Sequence, residues 1–298
     1  MRFLPLLTAV VVVVISACTS SDPAPAAKPT ADGGVDAQQV VDAGKELPPS
    51  LVNVTTETIA VEGVSREYLL AVPKTFDVER AYPLVLVFHG DGEDGARMRE
   101  LYTFDAASGA EAIVAYPTGS DRTWNVQAPS ATNRDIKLVD ALVTALSSKF
   151  LIDRDRIFGT GFGSGAVLVN KIACRKTGFF RAIVSHAGGA PVENEDPESG
   201  IWPSGLTKCF GQDGGVAAMI VHGEDDDQVS PDDGDFNATY WGSINGCQES
   251  RVDSTPSPCQ KYEGCPVDKP ALWCLVPGLG HAVWEHGAKE GWAFMKGL

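Results

Sequence analysis

The chain has 298 residues, 44% hydrophobic and 21% charged, which supplies enough apolar material for a large core. Its net charge of −15 and sequence pI near 4.7 argue against a nucleic-acid surface, which needs a basic stripe that is not visible here. The same acidity would repel acidic polysaccharides, so neutral polymers and small esters are better ligands.

Met1 and Arg2 precede an apolar run from Phe3 to Ile15, and the small residues Ser16 and Ala17 then lead into Cys18. A charged start, a short apolar centre and small residues at the cut site predict a secretory signal. The run is too short and too poorly flanked to span a membrane. The residues before Cys18 resemble the lipobox of bacterial lipoproteins. That resemblance implies removal of residues 1–17, lipidation of Cys18 and membrane contact through the lipid alone. Thr19 and Ser20 lack the aspartate that retains such proteins at an inner membrane, so the cell surface or outer membrane is expected. Residues 18–52 are rich in Ala, Asp, Pro and Gly without hydrophobic periodicity, and are expected to form a flexible tether.

A folded domain is expected over 53–298. Alternation predicts antiparallel strands at Thr55–Glu62 and Arg66–Val72. The unbroken apolar run from Pro83 to Phe88, ending in His89 and Gly90, predicts a central strand buried on both faces. Ile113–Tyr116 is a short strand. Asp135–Phe150 has helical spacing through Ile136, Val139, Leu142, Val143 and Leu146. A strand at Arg156–Gly159 and a helix at Val167–Lys176 flank a glycine-rich turn. Strands at Ala182–Val184, Ala217–Val221 and Leu272–Val276, and a helix at Gly287–Met295, complete the series. Strands alternating with helices imply an α/β domain with a mostly parallel sheet and helices on both faces.

With Cys18 set aside, Cys174, Cys209, Cys247, Cys259, Cys265 and Cys274 remain. An even count in an exported chain predicts disulfides, although sequence alone cannot fix their connectivity. Four of them crowd between Cys247 and Cys274 and should staple one loop-rich segment. There is no CxxC pair, so no metal is expected, and no cofactor.

Four motifs fall at strand C-terminal ends, where open α/β sheets place their sites. They are HGDG at His89–Gly92, GFGSG at Gly161–Gly165, HGEDD at His222–Asp226 and GLGH at Gly278–His281. Their order matches an oxyanion loop followed by nucleophile, acid and histidine. Further landmarks are AYPTG at Ala115–Gly119, Trp124, IDRDRIFGTGFGSGA at Ile152–Ala166, the Ala-Gly-Gly ending at Gly189, NGC ending at Cys247 and YEGC ending at Cys265.

In this order and spacing, from about Arg66 to Phe294, these landmarks resemble the feruloyl and acetylxylan esterases of carbohydrate esterase family 1. The related extracellular polyhydroxybutyrate depolymerases look similar. The resemblance implies an α/β-hydrolase fold, carboxylic ester hydrolysis, and a carbohydrate or polyester ester as substrate or ligand. It carries the catalytic acid onto Asp226, with Asp225 as competitor, and the general base onto His281. It carries the oxyanion N–H groups onto the region of Asp91 and onto Ser164. His89, His186 and His222 fall to structural roles near strand ends, His286 to the surface. A monomer is expected.

Two departures follow. The G-x-S-x-G frame set by Gly161 and Gly165 puts Gly163 on the nucleophile and leaves Ser164 one place late. If Ser164 were the nucleophile, Phe162 would occupy a position that needs a small residue. Asp91 stands where the family usually has an uncharged side chain, and a carboxylate there opposes a developing oxyanion unless it points away. Three functions compete: an esterase working through Ser164, a nonhydrolytic relative that binds ester in the old cleft, and a surface scaffold. The residues favour a nonhydrolytic or very slow protein.

Overall fold

The computed structural model describes residues 50–191 and 215–298. The expected signal segment, Cys18, almost all of the expected tether and Cys209 lie outside them. Ten strands form one mixed sheet. β1 (Val52–Val61) and β2 (Val64–Pro73) make an antiparallel hairpin that joins β4 (Ile113–Pro117) antiparallel. β3 (Tyr82–Phe88), β5 (Ile152–Phe162), β6 (Ala182–His186), β7 (Ala217–Gly223) and β10 (Ala271–Val276) follow with β4 in a parallel run. β9 (Cys259–Tyr262) and β8 (Arg251–Asp253) close the far edge antiparallel, giving the order β1-β2-β4-β3-β5-β6-β7-β10-β9-β8. This is the α/β-hydrolase architecture expected from the sequence.

All seven residues of β3 are buried, as a run without polar alternation requires when both faces are covered. The longest helix among the described residues, α3 (Arg134–Lys149), starts at Asn133, whose side chain accepts from the Asp135 and Ile136 N–H groups. Its buried face includes Ile136, Val139, Leu142, Val143 and Leu146, the periodic set. Arg66 donates to Asp135 Oδ1 at 2.8 Å and to the Thr118 carbonyl at 3.1 Å, while Asp135 Oδ2 accepts from the Asn125 N–H. This buried pair ties the 118–125 loop to the hairpin and to α3.

Several elements lack a sequence signal. α1 (Gly95–Leu101) and α2 (Phe104–Ser108) are short. α5 (Pro231–Ile244) carries Pro, Gly, Asn and Thr, poor helix formers. It is fixed instead by the Ser230 cap and by burial of Ala238, Tyr240 and Trp241. β8 and β9 are three and four residues long. Disulfides Cys247–Cys265 and Cys259–Cys274 staple this edge, and Cys174 is also disulfide-bonded. Among the described residues no helix is long and apolar enough to cross a membrane.

Candidate active site

β5 runs through Phe162 and α4 (Ser164–Arg175) begins two residues later, so the turn between them is Gly163 alone. Its backbone sits at φ 54°, ψ −121°, a region glycine enters without a Cβ penalty. The flanking glycines fix the register. A Cβ on Gly161 would stand 2.5 Å from the Gly165 carbonyl carbon, and one on Gly165 would stand 2.4 Å from the His89 carbonyl oxygen. Neither position admits a side chain, so strand and helix pack only in the 161–163–165 frame. At Gly163 there is room: a Cβ would meet only His281 Nε2 at 3.6 Å and Gly90 Cα at 3.8 Å. The side-chain direction at 163 therefore leads to the imidazole.

His281 follows β10 on the Gly278–Gly280 loop, and Asp226 follows β7. His281 Nδ1 lies 2.8 Å from Asp226 Oδ2. The carboxylate accepts two backbone N–H groups at its other oxygen, from Gln228 and Val229, each at 3.0 Å. Burial alone would raise the Asp226 pKa, but the Val229 N–H, the His281 ring and the Gln228 N–H outweigh it and hold the acid below its ordinary value. As an ionised acceptor, Asp226 fixes the proton of His281 on Nδ1 and leaves the Nε2 lone pair facing position 163. Asp225 has no such contact. Phe162 packs on the imidazole with ring centroids 4.7 Å apart and so holds its plane.

Ser164 faces elsewhere. Its hydroxyl donates to Asp91 Oδ1 at 2.8 Å, and Thr123 donates to the same oxygen at 2.6 Å. The Asp91 carboxylate is thus turned toward two hydroxyl donors, an interaction the sequence did not reveal. The Ser164 N–H stands at the first position of α4, where an amide has no acceptor within its own helix.

The other histidines are buried, except His286 on the surface. His89 accepts the Gly119 N–H at Nε2 (2.8 Å), its Nδ1 lies 2.6 Å from the Gly90 carbonyl, and its own carbonyl accepts the Trp124 indole N–H. These bonds join the HGDG loop to the AYPTG segment. His222 shares Asp226 Oδ2 with His281, its Nε2 lying 3.1 Å away. That second imidazole on the carboxylate was missed, because a histidine ending a buried strand carries no pattern of its own. His186 Nε2 lies 2.9 Å from the Tyr102 hydroxyl.

Burial, with His222 nearby, pushes the His186 pKa down to about 3. Burial also lowers His89, against smaller upward pulls from the Gly90 carbonyl, Asp94 and Asp91. Both stay neutral in the fold, whereas an unfolded histidine takes a proton below about pH 6.5. Their stabilisation is therefore complete above pH 6.5 and declines as pH falls toward the folded values. Urea unfolding at pH 7 and pH 5 should show a loss of about 2 kcal/mol from His186 alone. Unchanged stability over that interval would contradict the burial of neutral imidazole.

A cleft of about 570 Å³ opens over these groups, lined by Asp91, Phe162, Gly163, Ser164, Gly189 and His281 among others. No family model matches the chain. It is 26% identical over 238 residues to a probable feruloyl esterase C of Aspergillus terreus, covering 76% of this chain and 80% of that one. It is 25% identical over 247 residues to feruloyl esterase D of Neurospora crassa, covering 77% and 79%. Among solved structures, an acetyl xylan esterase from Aspergillus awamori matches with a TM-score of 0.67 at 19% identity, over 83% of this chain and all of that one. A ferulic acid esterase of carbohydrate esterase family 1 from Anaeromyces mucronatus, solved with ferulic acid, matches with a TM-score of 0.56 at 15% identity, over 85% and 92%. The chain's relatives are feruloyl esterases, and its fold is that of the α/β-hydrolase esterases.

Proposed function

We propose that this chain holds a carbohydrate- or polyester-linked carboxylic ester in the esterase cleft without forming an acyl-enzyme. One observation carries the reading. The elbow, the acid and the histidine keep their places, while the residue whose side chain would meet His281 Nε2 is Gly163. An esterase working through Ser164 is disfavoured, because that hydroxyl donates its hydrogen bond to Asp91 while the space facing His281 Nε2 lies at position 163. A scaffold without ligand is disfavoured by Asp226, which a drifting surface has no reason to keep satisfied by three hydrogen bonds, one of them to His281.

The protein would work outside the cytoplasm, where disulfides persist, anchored through lipid on Cys18. The relatives named for feruloyl and acetyl xylan ester cleavage suggest an ester on a plant-wall polysaccharide. Calorimetry with feruloylamide, an uncleavable mimic of a ferulate ester, should show one site. Gly189→Trp should weaken binding at least ~10-fold: position 189 lines the cleft and a Cβ there meets nothing within 4 Å, so the indole fills the cleft without disturbing the fold. Absence of binding, or binding untouched by that variant, would refute the reading.

A further inference from the structure

We propose that Asp226, His281 and the space above Gly163 form a general-base site for water, so that the chain hydrolyses esters by direct attack of water, with no covalent enzyme intermediate. The inference rests on the cleft binding an ester, as proposed above, and concerns what happens to that ester. An esterase elbow normally fills this space with its own nucleophile. Here the wall at Gly163 ends at the backbone, and within 4 Å of the missing Cβ stand only His281 Nε2 and Gly90 Cα. The room is open to the cleft of about 570 Å³ and easily takes a water, which needs ~15 Å³ of such space and polar partners. Nε2 is the acceptor that would orient it. Asp226 holds the ring in the tautomer with Nε2 free, and Phe162 fixes its plane.

The step balances with water as the only co-reactant. Water oxygen bonds to the ester carbonyl carbon while one of its protons passes to His281 Nε2. The carbonyl electron pair moves to oxygen, where the Ser164 N–H at the start of α4 can meet the charge. Collapse restores the carbonyl, breaks the bond to the alcohol oxygen and returns the proton from Nε2 to that oxygen. Acid and alcohol leave, and Asp226 stays ionised throughout, stabilising the transient imidazolium. The Asp91 carboxylate is occupied by the Ser164 and Thr123 hydroxyls, so Ser164 contributes its amide to this step and not its oxygen. A positioned general base contributes ~10²–10⁴ in rate, so activity is expected to be slow but well above buffer.

The test is steady-state hydrolysis of p-nitrophenyl acetate and phenyl acetate by the purified chain. Expected are linear progress curves without a burst, a faster rate for the nitrophenyl ester throughout, slowing in D2O, and no loss of rate after fluorophosphonate treatment. His281→Gln should lower the rate ~100-fold or more with the fold intact by circular dichroism. Gly163→Ala, whose methyl carbon would occupy the space 3.6 Å from Nε2, should lower it as well. A rate equal to buffer, a rate that survives His281→Gln, or a stoichiometric burst would each overturn the proposal. If feruloylamide binds but no His281-dependent hydrolysis occurs, this inference alone fails. If feruloylamide does not bind, the functional reading beneath it fails.

Discussion

Gly163→Ser is expected to raise kcat on p-nitrophenyl acetate by ~10³ or more and to introduce an acyl-enzyme burst. In serine proteases, losing the nucleophile costs ~10⁶ in kcat. The Asp91 carboxylate near the oxyanion site works against the full recovery, by an amount comparable to losing one oxyanion donor, ~10²–10³. The geometry is otherwise ready. A Cβ at 163 makes only ordinary contacts, and its direction leads to His281 Nε2. The positive φ of 54° strains any side-chain-bearing residue by about 1–3 kcal/mol, so a lower melting temperature should accompany the gain. Stability exchanged for activity is the expected signature. A stable, well-folded variant with no gain would mean that the acid, base and oxyanion donors are not mutually positioned for acyl transfer.

The second large effect belongs to Asp226. In the Gly163→Ser background, Asp226→Asn should erase essentially all of the recovered kcat, since loss of the carboxylate in a serine protease triad costs ~10⁴. Asparagine is nearly isosteric, but either way round its NH2 meets donors: the His281 Nδ1–H if it takes the place of Oδ2, or the Gln228 and Val229 N–H groups if it takes the place of Oδ1. The readout is kcat with little change in KM, since Asp226 is not among the cleft-lining residues. An equal loss from Asp225→Asn would reassign the acid.

Much of this was legible in the sequence, for identifiable reasons. β3 is a long apolar run and α3 has a clean period, so both are visible in one dimension. The elbow was legible because Gly161 and Gly165 are forced by backbone contacts closer than any side chain permits, and such glycines keep a fixed spacing. Asp226 and His281 follow strand ends, where an α/β sheet gathers its polar loops.

What escaped depends on contacts across the chain. Ser164 with Asp91 joins residues 73 apart, and nothing local announces it. The role of His222 depends on the return of the 223–229 loop over its own strand end. α5 is specified by burial of Tyr240 and Trp241 against the sheet, which overrides its poor intrinsic propensity. The disulfide pairs needed the fold, because β9 and β10 bring Cys259 opposite Cys274 in register.

Asp91 and Gly163 are best understood together. In a serine esterase an unpaired carboxylate beside the oxyanion would be costly. Asp91 is not unpaired: it holds the start of α4 through Ser164 and the 120–123 loop through Thr123, and these two hydroxyls take up part of its charge. The double variant Gly163→Ser with Asp91→Ala would measure how far the two changes are coupled.

Everything here depends on which residue occupies the nucleophile position. Peptide-resolved mass spectrometry after fluorophosphonate labelling decides it. The expected result is no serine adduct in the wild-type chain and a single adduct at position 163 in Gly163→Ser. An adduct on Ser164 of the wild-type chain would contradict the account.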